Sequence, residues 1–439
     1  MLVSRLDALF RNKVSSDIAW TTASFAVLAA SGIVINLVVA YFRNAADLGV
    51  FNLAYSVYII ASQIAAFGIH YSVLRSAAHE DRDKAKLGAI LGSAVIAVVV
   101  LGIVFAGAIY AAEPLFARIF SERAGHSIAI AALGIALFPV TKVLISFLNG
   151  LRHMKAFSVL QAVRYITVAA VVTAFAMSDL PFEYATFCFL IAELITLVGA
   201  TAYIWYRRLV EALRVERKWL ERHISFGSKG LVAGMFGEIN TRVDVLIIGY
   251  FLSEREVGIY SFAAMLLDGL YHLLAMVRVN FNPLLVQAIR DDQLPDAQKL
   301  LRLSKRYAPL VMSALAMSVV VFYWFVTAYL VPERGLQEGL VVLIILLGGL
   351  VLTSGLIPFD NLLLVSGYPG YQTLQQMTGF IVNVIGNVAL IPVFGLEGAA
   401  MGTAASYIAA VTVLALMSYR LFGWNLLTNT VRSPDRGAA

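Results

Sequence analysis

Apolar residues along this chain gather in long unbroken runs separated by short polar turns. An α-helix rises about 1.5 Å per residue, so roughly 20 apolar residues cross the hydrocarbon core of a bilayer. Twelve runs meet that length, near residues 18–42, 48–74, 87–111, 126–149, 158–177, 184–206, 226–252, 257–281, 307–330, 337–365, 371–392 and 397–422. They are continuous, whereas an outer-membrane barrel alternates apolar and polar residues in segments of about ten. Backbone polar groups in lipid must be satisfied within each span. The predicted class is therefore an all-α polytopic membrane protein with 12 transmembrane helices. The longer runs are expected to tilt, kink or extend past the bilayer.

The runs repeat. Residues 37–54, LVVAYFRNAADLGVFNLA, align without a gap to residues 246–263, LIIGYFLSEREVGIYSFA. Leu37/Leu246, Tyr41/Tyr250, Phe42/Phe251, Gly49/Gly258 and Ala54/Ala263 are identical, and Asp47/Glu256, Val50/Ile259 and Phe51/Tyr260 are conservative. Each stretch joins the end of one run to the start of the next, so the chain divides into two copies of one six-helix module. Membrane proteins built from such repeats are often transporters with a site between the halves. The expected segments are an interfacial N-terminal stretch at 1–17, an N-lobe at 18–206, a basic linker at 207–223, a C-lobe at 224–422 and a tail at 423–439. Leu2, Leu6, Leu9 and Phe10 share one side of a helical wheel, which suits a short helix on the membrane surface.

Composition agrees with the bilayer: 60% of residues are hydrophobic and 14% charged, against about a quarter charged in soluble domains. The net charge of +6 is explained by topology rather than by nucleic acid. With the N-terminus inside, 24 Lys and Arg fall on inner segments and five (Arg43, Arg118, Arg123, Arg255, Arg334) on outer ones. That bias places both termini in the cytoplasm and supports an even number of spans; the expected location is a bacterial or archaeal cytoplasmic membrane. The outer loops are too short to hold a domain, so chemistry must occur within the membrane. The one cysteine, Cys188, sits in an apolar run and forms neither an intramolecular disulfide nor a CxxC metal site.

Ionisable side chains inside spans are costly and mark candidate functional positions. Lys229, Glu238, Arg242 and Asp244 fall in the seventh span, and Asp268, His272 and Arg278 in the eighth. Arg164, Glu193 and Asp360 are weaker candidates, and His70 and Arg75 lie at the inner end of the second span. Glu238 and Arg242 are spaced i, i+4, as are Asp268 and His272, so each pair is expected on one helix face. Glu238, Arg242, Asp244, Asp268 and His272 would line one polar cavity at mid-depth. Pairing of Glu238 with Arg242, and snorkelling of Arg75, Arg164 and Lys229 to the headgroups, are the structural alternatives. Asp360 follows Pro358, a helix breaker. HEDRDK at 79–84 is a solvated loop rather than a metal motif. No HExxH, GxxxxGK[ST] or GxSxG occurs, so no metal, cofactor or nucleotide-binding loop is expected and the chain is not itself an ATP-driven pump.

Three stretches resemble a known family. VDVLIIGYFLSEREVGIYSFAAML at 243–266 resembles the seventh and eighth helices of polysaccharide transporters, and DLGVFNLAYSVY at 47–58 the start of their second helix. NVIGNVALIPVFGLEGAAMGTAASY at 383–407, with Pro392, Gly395, Gly398, Ala399 and Ala400, resembles their turn between helices eleven and twelve. The family is the Wzx-type lipid-linked oligosaccharide (O-antigen and exopolysaccharide) flippases of the multidrug/oligosaccharidyl-lipid/polysaccharide exporter superfamily.

The resemblance implies two six-helix lobes around a central cavity and a non-enzymatic flippase. Its substrate would be a polyprenyl-diphosphate-linked oligosaccharide, carried from the cytoplasmic to the outer leaflet by alternating access. Arg242, Arg278, Lys229 and Arg75 would then bind the diphosphate. Glu238, Asp244, Asp268 and His272 would balance them or exchange H⁺ or Na⁺. A glycan polymerase or other assembly protein would be a natural partner. Lipid II flippases of the superfamily carry two more spans, which argues against that branch. The alternatives are a cation-coupled multidrug exporter of the same superfamily, whose cavity should be net negative, and a membrane glycan polymerase or ligase, which would present a large outer loop.

Overall fold

A computed structural model describes residues 2–80, 83–290, 294–332 and 335–431; of residues 2–15, 18, 229–238, 289, 290, 294 and 431 it describes the backbone alone. The fold is all-α apart from a short C-terminal hairpin, and its internal contacts divide it into two units, Met1–Ile239 and Asn240–Ala439.

The first unit contains α1 (Leu2–Phe42), α2 (Ala45–Ala66), α3 (Ile69–His79), α4 (Lys84–Ala111), α5 (Glu113–Ile119), α6 (Glu122–Ile135), α7 (Phe138–Gly150), α8 (Met154–Ala176), α9 (Phe187–Tyr206) and α10 (Arg217–Asn240). α1 packs on α8, α2 on α6, α3 on α7, and α8 on α9. The N-terminal stretch expected to form its own surface helix is continuous with the first span, since Leu2–Phe42 is one helix. The second predicted run is divided between α2 and α3 at Phe67 and Gly68, both left-handed, with φ of 48° and 67°. The fourth is the pair α6 and α7, bent by 42° just before Pro139.

The second unit contains α11 (Val243–Phe251), α12 (Glu254–Arg290), α13 (Leu294–Phe325), α14 (Gly339–Thr353), α15 (Leu362–Val365), α16 (Pro369–Phe394) and α17 (Leu396–Phe422), then β1 (Trp424–Asn425) paired antiparallel to β2 (Thr430–Val431). α16 and α17 lie nearly backbone to backbone. A Cβ added at Gly386 would stand 2.9 Å from the Gly402 Cα, and one at Gly398 would overlap the Leu390 carbonyl oxygen. The small-residue run at 395–406 is what permits this approach.

Among the described residues ten helices are long and apolar enough to cross a membrane, and the bent α6–α7 pair makes an eleventh. The predicted run at 226–252 is two helices, α10 and α11, separated at Thr241 and Arg242. Many large apolar side chains face outward from the spans, such as Leu352 at 77% and Val198 at 66% exposed, as lipid contact requires.

The repeat is visible in local geometry. Asn44 caps α2, its Oδ1 accepting from Asp47 N at 2.9 Å. At the equivalent start of α12, Ser253 donates its N–H to the Glu256 carboxylate at 3.1 Å, and its hydroxyl donates to the same oxygen. Both copies thus tie N-cap to N3, the logic of a capping box, and fix where the second helix of each copy begins.

The linker is bound to the first unit by its backbone. Arg214 N donates to Gly88 O at 3.3 Å, and Ser93 Oγ accepts from Glu216 N at 2.9 Å. A Cβ at Gly88 would overlap the Ala212 carbonyl oxygen, and one at Gly92 the Arg214 oxygen. His223, fully buried at the start of α10, bridges Ser72 Oγ at 2.8 Å and Ile90 O at 3.1 Å. Burial pushes this imidazole down to about 4.

Candidate functional site

The second unit holds Arg242, Asp244, Asp268, His272, Arg278 and Asp360, half of the ionisable residues expected inside spans, and the break between α10 and α11 organises the first of them. α10 ends at Asn240, and Arg242 is the non-helical N-cap of α11, with φ −130° and ψ −13°. Glu238 and Arg242 therefore do not share a helix face; the i, i+4 rule requires a continuous helix, and this one is interrupted between them. The Glu238 and Lys229 side chains lie outside the described residues.

Asp244 sits in the first turn of α11, where the helix dipole favours a carboxylate. It is 7% exposed. Tyr260 Oη on α12 donates to its Oδ2 at 2.6 Å and lies 3.0 Å from Thr403 Oγ1 on α17, while Val245 N donates to Oδ1 at 2.9 Å. Arg242 and Asp268 both stand within electrostatic reach of this carboxylate. Asp268 is half-buried on α12 with Arg242 and His272 near it, and His272 is exposed. The structure thus brings together Arg242, Asp244, Asp268 and His272 of the predicted set.

A second group continues along α12. Asp268, Tyr271 and Arg278 are spaced i, i+3, i+10, one stripe of a helix. Tyr271 stacks on Tyr407 of α17, with ring centroids 6.1 Å apart and planes at 13°, and lies within reach of Arg278. Arg278 Nη1 donates to Asp360 Oδ2 at 2.9 Å, and Gln375 Nε2 donates to Asp360 Oδ1. Asp360 follows the 3₁₀ turn Ile357–Phe359 that ends the α14 segment; Pro358 breaks the helix and turns the carboxylate toward Arg278. Charges from α11, α12 and the turn before α15 are linked by tyrosines on α12 and α17.

The first unit holds a separate buried ion pair. Arg164 Nη2 on α8 donates to Glu193 Oε2 on α9 at 3.0 Å and to Thr141 Oγ1 at 2.8 Å. Thr141 Oγ1 also donates to Glu193, and Tyr58 Oη donates to its Oε1 at 3.2 Å. Glu193 is 1% exposed. Arg75, expected to bind diphosphate, is exposed in this unit with its guanidinium 5.7 Å from the Phe226 ring centroid.

Tyr58, Thr141, Tyr260, Tyr271, Gln375, Thr403 and Tyr407 escaped the sequence reading because it ranked charged residues alone. Hydroxyls recurring at helical spacing from an acid, as Tyr271 does from Asp268, are the signal that could have found them. Among the described residues no three His, Cys, Asp or Glu side chains gather as a metal site.

These features define a multi-pass all-α membrane protein with charges held inside its spans. Its fold is similar to that of several solved transporters. The lipid II flippase MurJ, in an inward closed conformation, is similar over 93% of this chain and 89% of its own, with a TM-score of 0.73 and 16% identity. An inward-facing multidrug resistance MATE transporter of the MOP superfamily matches over 92% and 96%, with a TM-score of 0.70 and 14% identity. The MATE multidrug transporter DinF-BH matches over 95% and 97%, with a TM-score of 0.65 and 13% identity. No curated protein matches by sequence. Residues 14–287 match the family model described as "Polysaccharide biosynthesis protein", and the chain belongs to that family.

Proposed function

We propose that this protein is a secondary transporter that flips a polyprenyl-diphosphate-linked oligosaccharide from the cytoplasmic to the outer leaflet by alternating access, for surface polysaccharide synthesis. The observation that carries the reading is the presence of two cations among the second unit's span carboxylates, where Arg242 and Arg278 stand among Asp244, Asp268 and Asp360. A diphosphate requires cations, and Arg278 held by Asp360 is a cation that substrate can take over by exchange. Asp244, clamped by Tyr260, is the coupling acid for H⁺ or Na⁺. Membership of the polysaccharide biosynthesis family supports the glycan substrate, and the basic inner loops support cytoplasmic termini and a cytoplasmic membrane. The lipid anchor stays in the bilayer while the polar head crosses, and a glycan polymerase receives the product.

The second reading, a cation-coupled multidrug exporter, draws on the buried acid Asp244 and on the likeness to multidrug transporters. Deleting the gene in its host and extracting lipid-linked intermediates separates the two. Diphosphate-linked oligosaccharide trapped inside, with surface glycan lost, is the expected result. Unchanged glycan with greater sensitivity to cationic dyes overturns the flippase and favours the exporter. Within the flippase reading, Arg242→Ala and Arg278→Ala, expressed normally, should each fail to restore glycan; full complementation by both would remove the diphosphate assignment.

A further inference from the structure

The break between α2 and α3 in the first unit has features that the proposed transport path does not use. α2 starts at the outer-side cap Asn44 and runs 22 residues, about 33 Å at helical rise, which matches the roughly 30 Å hydrocarbon core. With the basic loops inside, its end at Ala66 reaches the level of the inner-leaflet headgroups. There Phe67 and Gly68 turn left-handed and α3 begins anew. Its N-cap, Gly68, offers no side-chain hydrogen bond to the first turn, so this end of the helix presents N–H donors and the positive end of a dipole.

Two further observations point to a ligand. His70, second residue of α3, is 7% exposed, and its Nδ1 has no hydrogen-bond partner. The Cα–Cβ bond of a helical residue tilts toward the helix N-terminus, which for His70 is the side of the break, and the imidazole lies beside the Tyr71 ring with centroids 4.0 Å apart. A buried polar nitrogen without a partner calls for an explanation such as an absent ligand. Lys142 of α7, half-buried, extends its ammonium over the Phe138 ring at 5.4 Å and donates to Gln63 Oε1 from the last turn of α2. Among the described residues, Lys142 is the charged side chain that acts on His70, and no carboxylate does. Across the break α10 presents Gly227, where an added Cβ would overlap the Phe67 carbonyl oxygen and stand 3.3 Å from Ile69 N; only a residue without a side chain fits there.

We propose that the α2–α3 break is an anion site for a phosphate or diphosphate group, formed by the first turn of α3, His70 and Lys142 at inner-leaflet depth. Helix N–H groups, an imidazole N–H and an ammonium are the donors that a tetrahedral oxyanion takes. Two sources carry this chemistry at that depth: the diphosphate of a lipid-linked substrate, an assignment that rests on the proposed function, and the headgroup of an anionic phospholipid.

The test uses the full chain in phosphatidylcholine nanodiscs, titrated with farnesyl diphosphate and, separately, reconstituted with added phosphatidylglycerol. Thermal unfolding reports binding. Wild type and Lys142→Arg should be stabilised by farnesyl diphosphate, with apparent affinity about tenfold weaker in Lys142→Met and in His70→Gln, a loss of about 1.4 kcal/mol. If farnesyl diphosphate is inert and the phosphatidylglycerol shift disappears in the same two variants, the anion site stands and the substrate assignment falls. Unaltered responses to both probes in both variants, each monodisperse after purification, overturn the site. Failure of the flippase reading in the gene-deletion experiment leaves the phosphatidylglycerol arm intact, so the two failures are told apart.

Discussion

The ion pair between Arg164 and Glu193 allows a stability prediction with an internal asymmetry. Both groups are buried, and Glu193 is held by Arg164, Thr141 and Tyr58 together. Replacing Glu193 with Leu leaves a guanidinium that remains charged at any accessible pH, stranded among α7, α8 and α9. Breaking a buried pair in this way costs about 3–5 kcal/mol. Replacing Arg164 with Met leaves a carboxyl that can take up a proton and keep its Tyr58 and Thr141 partners, so the loss should be smaller, about 1–3 kcal/mol for the broken charged hydrogen bonds. The double variant Arg164→Met/Glu193→Leu removes both charges and should recover to within about 2 kcal/mol of wild type, since apolar replacements of buried pairs are often near neutral. SDS-driven unfolding in mixed micelles measures all four proteins and closes the cycle. The reasoning fails if Glu193→Leu costs less than about 1 kcal/mol, or if the two single losses simply add in the double variant.

Arg43 donates to the carbonyl oxygens of Phe175 (2.8 Å), Ala176 (3.1 Å) and Leu180 (3.0 Å), and also to that of Ser178, closing the C-terminal end of α8. A lysine cannot reproduce that planar fork, so Arg43→Lys should lower stability by about 1–3 kcal/mol in the same unfolding assay. Gly88→Ala should displace the linker from α4, read as faster proteolytic nicking between residues 207 and 216, while Gly107→Ala on the same helix, with open space around it, should leave nicking unchanged. His223 has its folded pKa lowered from 6.5 to about 4. Its contribution is therefore complete above pH 6.5 and is lost as pH falls toward 4, by up to about 3 kcal/mol at 1.36 kcal/mol per unit. The pH profile of stability in His223→Gln, compared with wild type, should lack that decline.

The spans could be found from sequence because lipid enforces the simplest of patterns, continuous apolarity over a fixed length, and the breaks could not because they depend on a few backbone angles. Gly68 passes as a glycine tolerated in a helix until Phe67 joins it at positive φ. Thr241 and Arg242 lie in a stretch whose charges suggested one helix face, yet the helix stops there. Pairings such as Arg278 with Asp360, 82 residues apart, carry no local signal at all. The internal repeat goes further than either spans or charges. At the shared offset, the N-cap and N3 positions keep their roles in both copies, Asn44 with Asp47 and Ser253 with Glu256. The offset also aligns Ile35 with Asp244 and Phe51 with Tyr260. In the first copy both positions are buried and apolar; in the second they form a carboxylate–phenol hydrogen bond of 2.6 Å. Two substitutions on a common scaffold separate a packing pair from a coupling acid and its donor. The repeated module is thus the structural constant, and the chemistry belongs to the positions where its copies diverge.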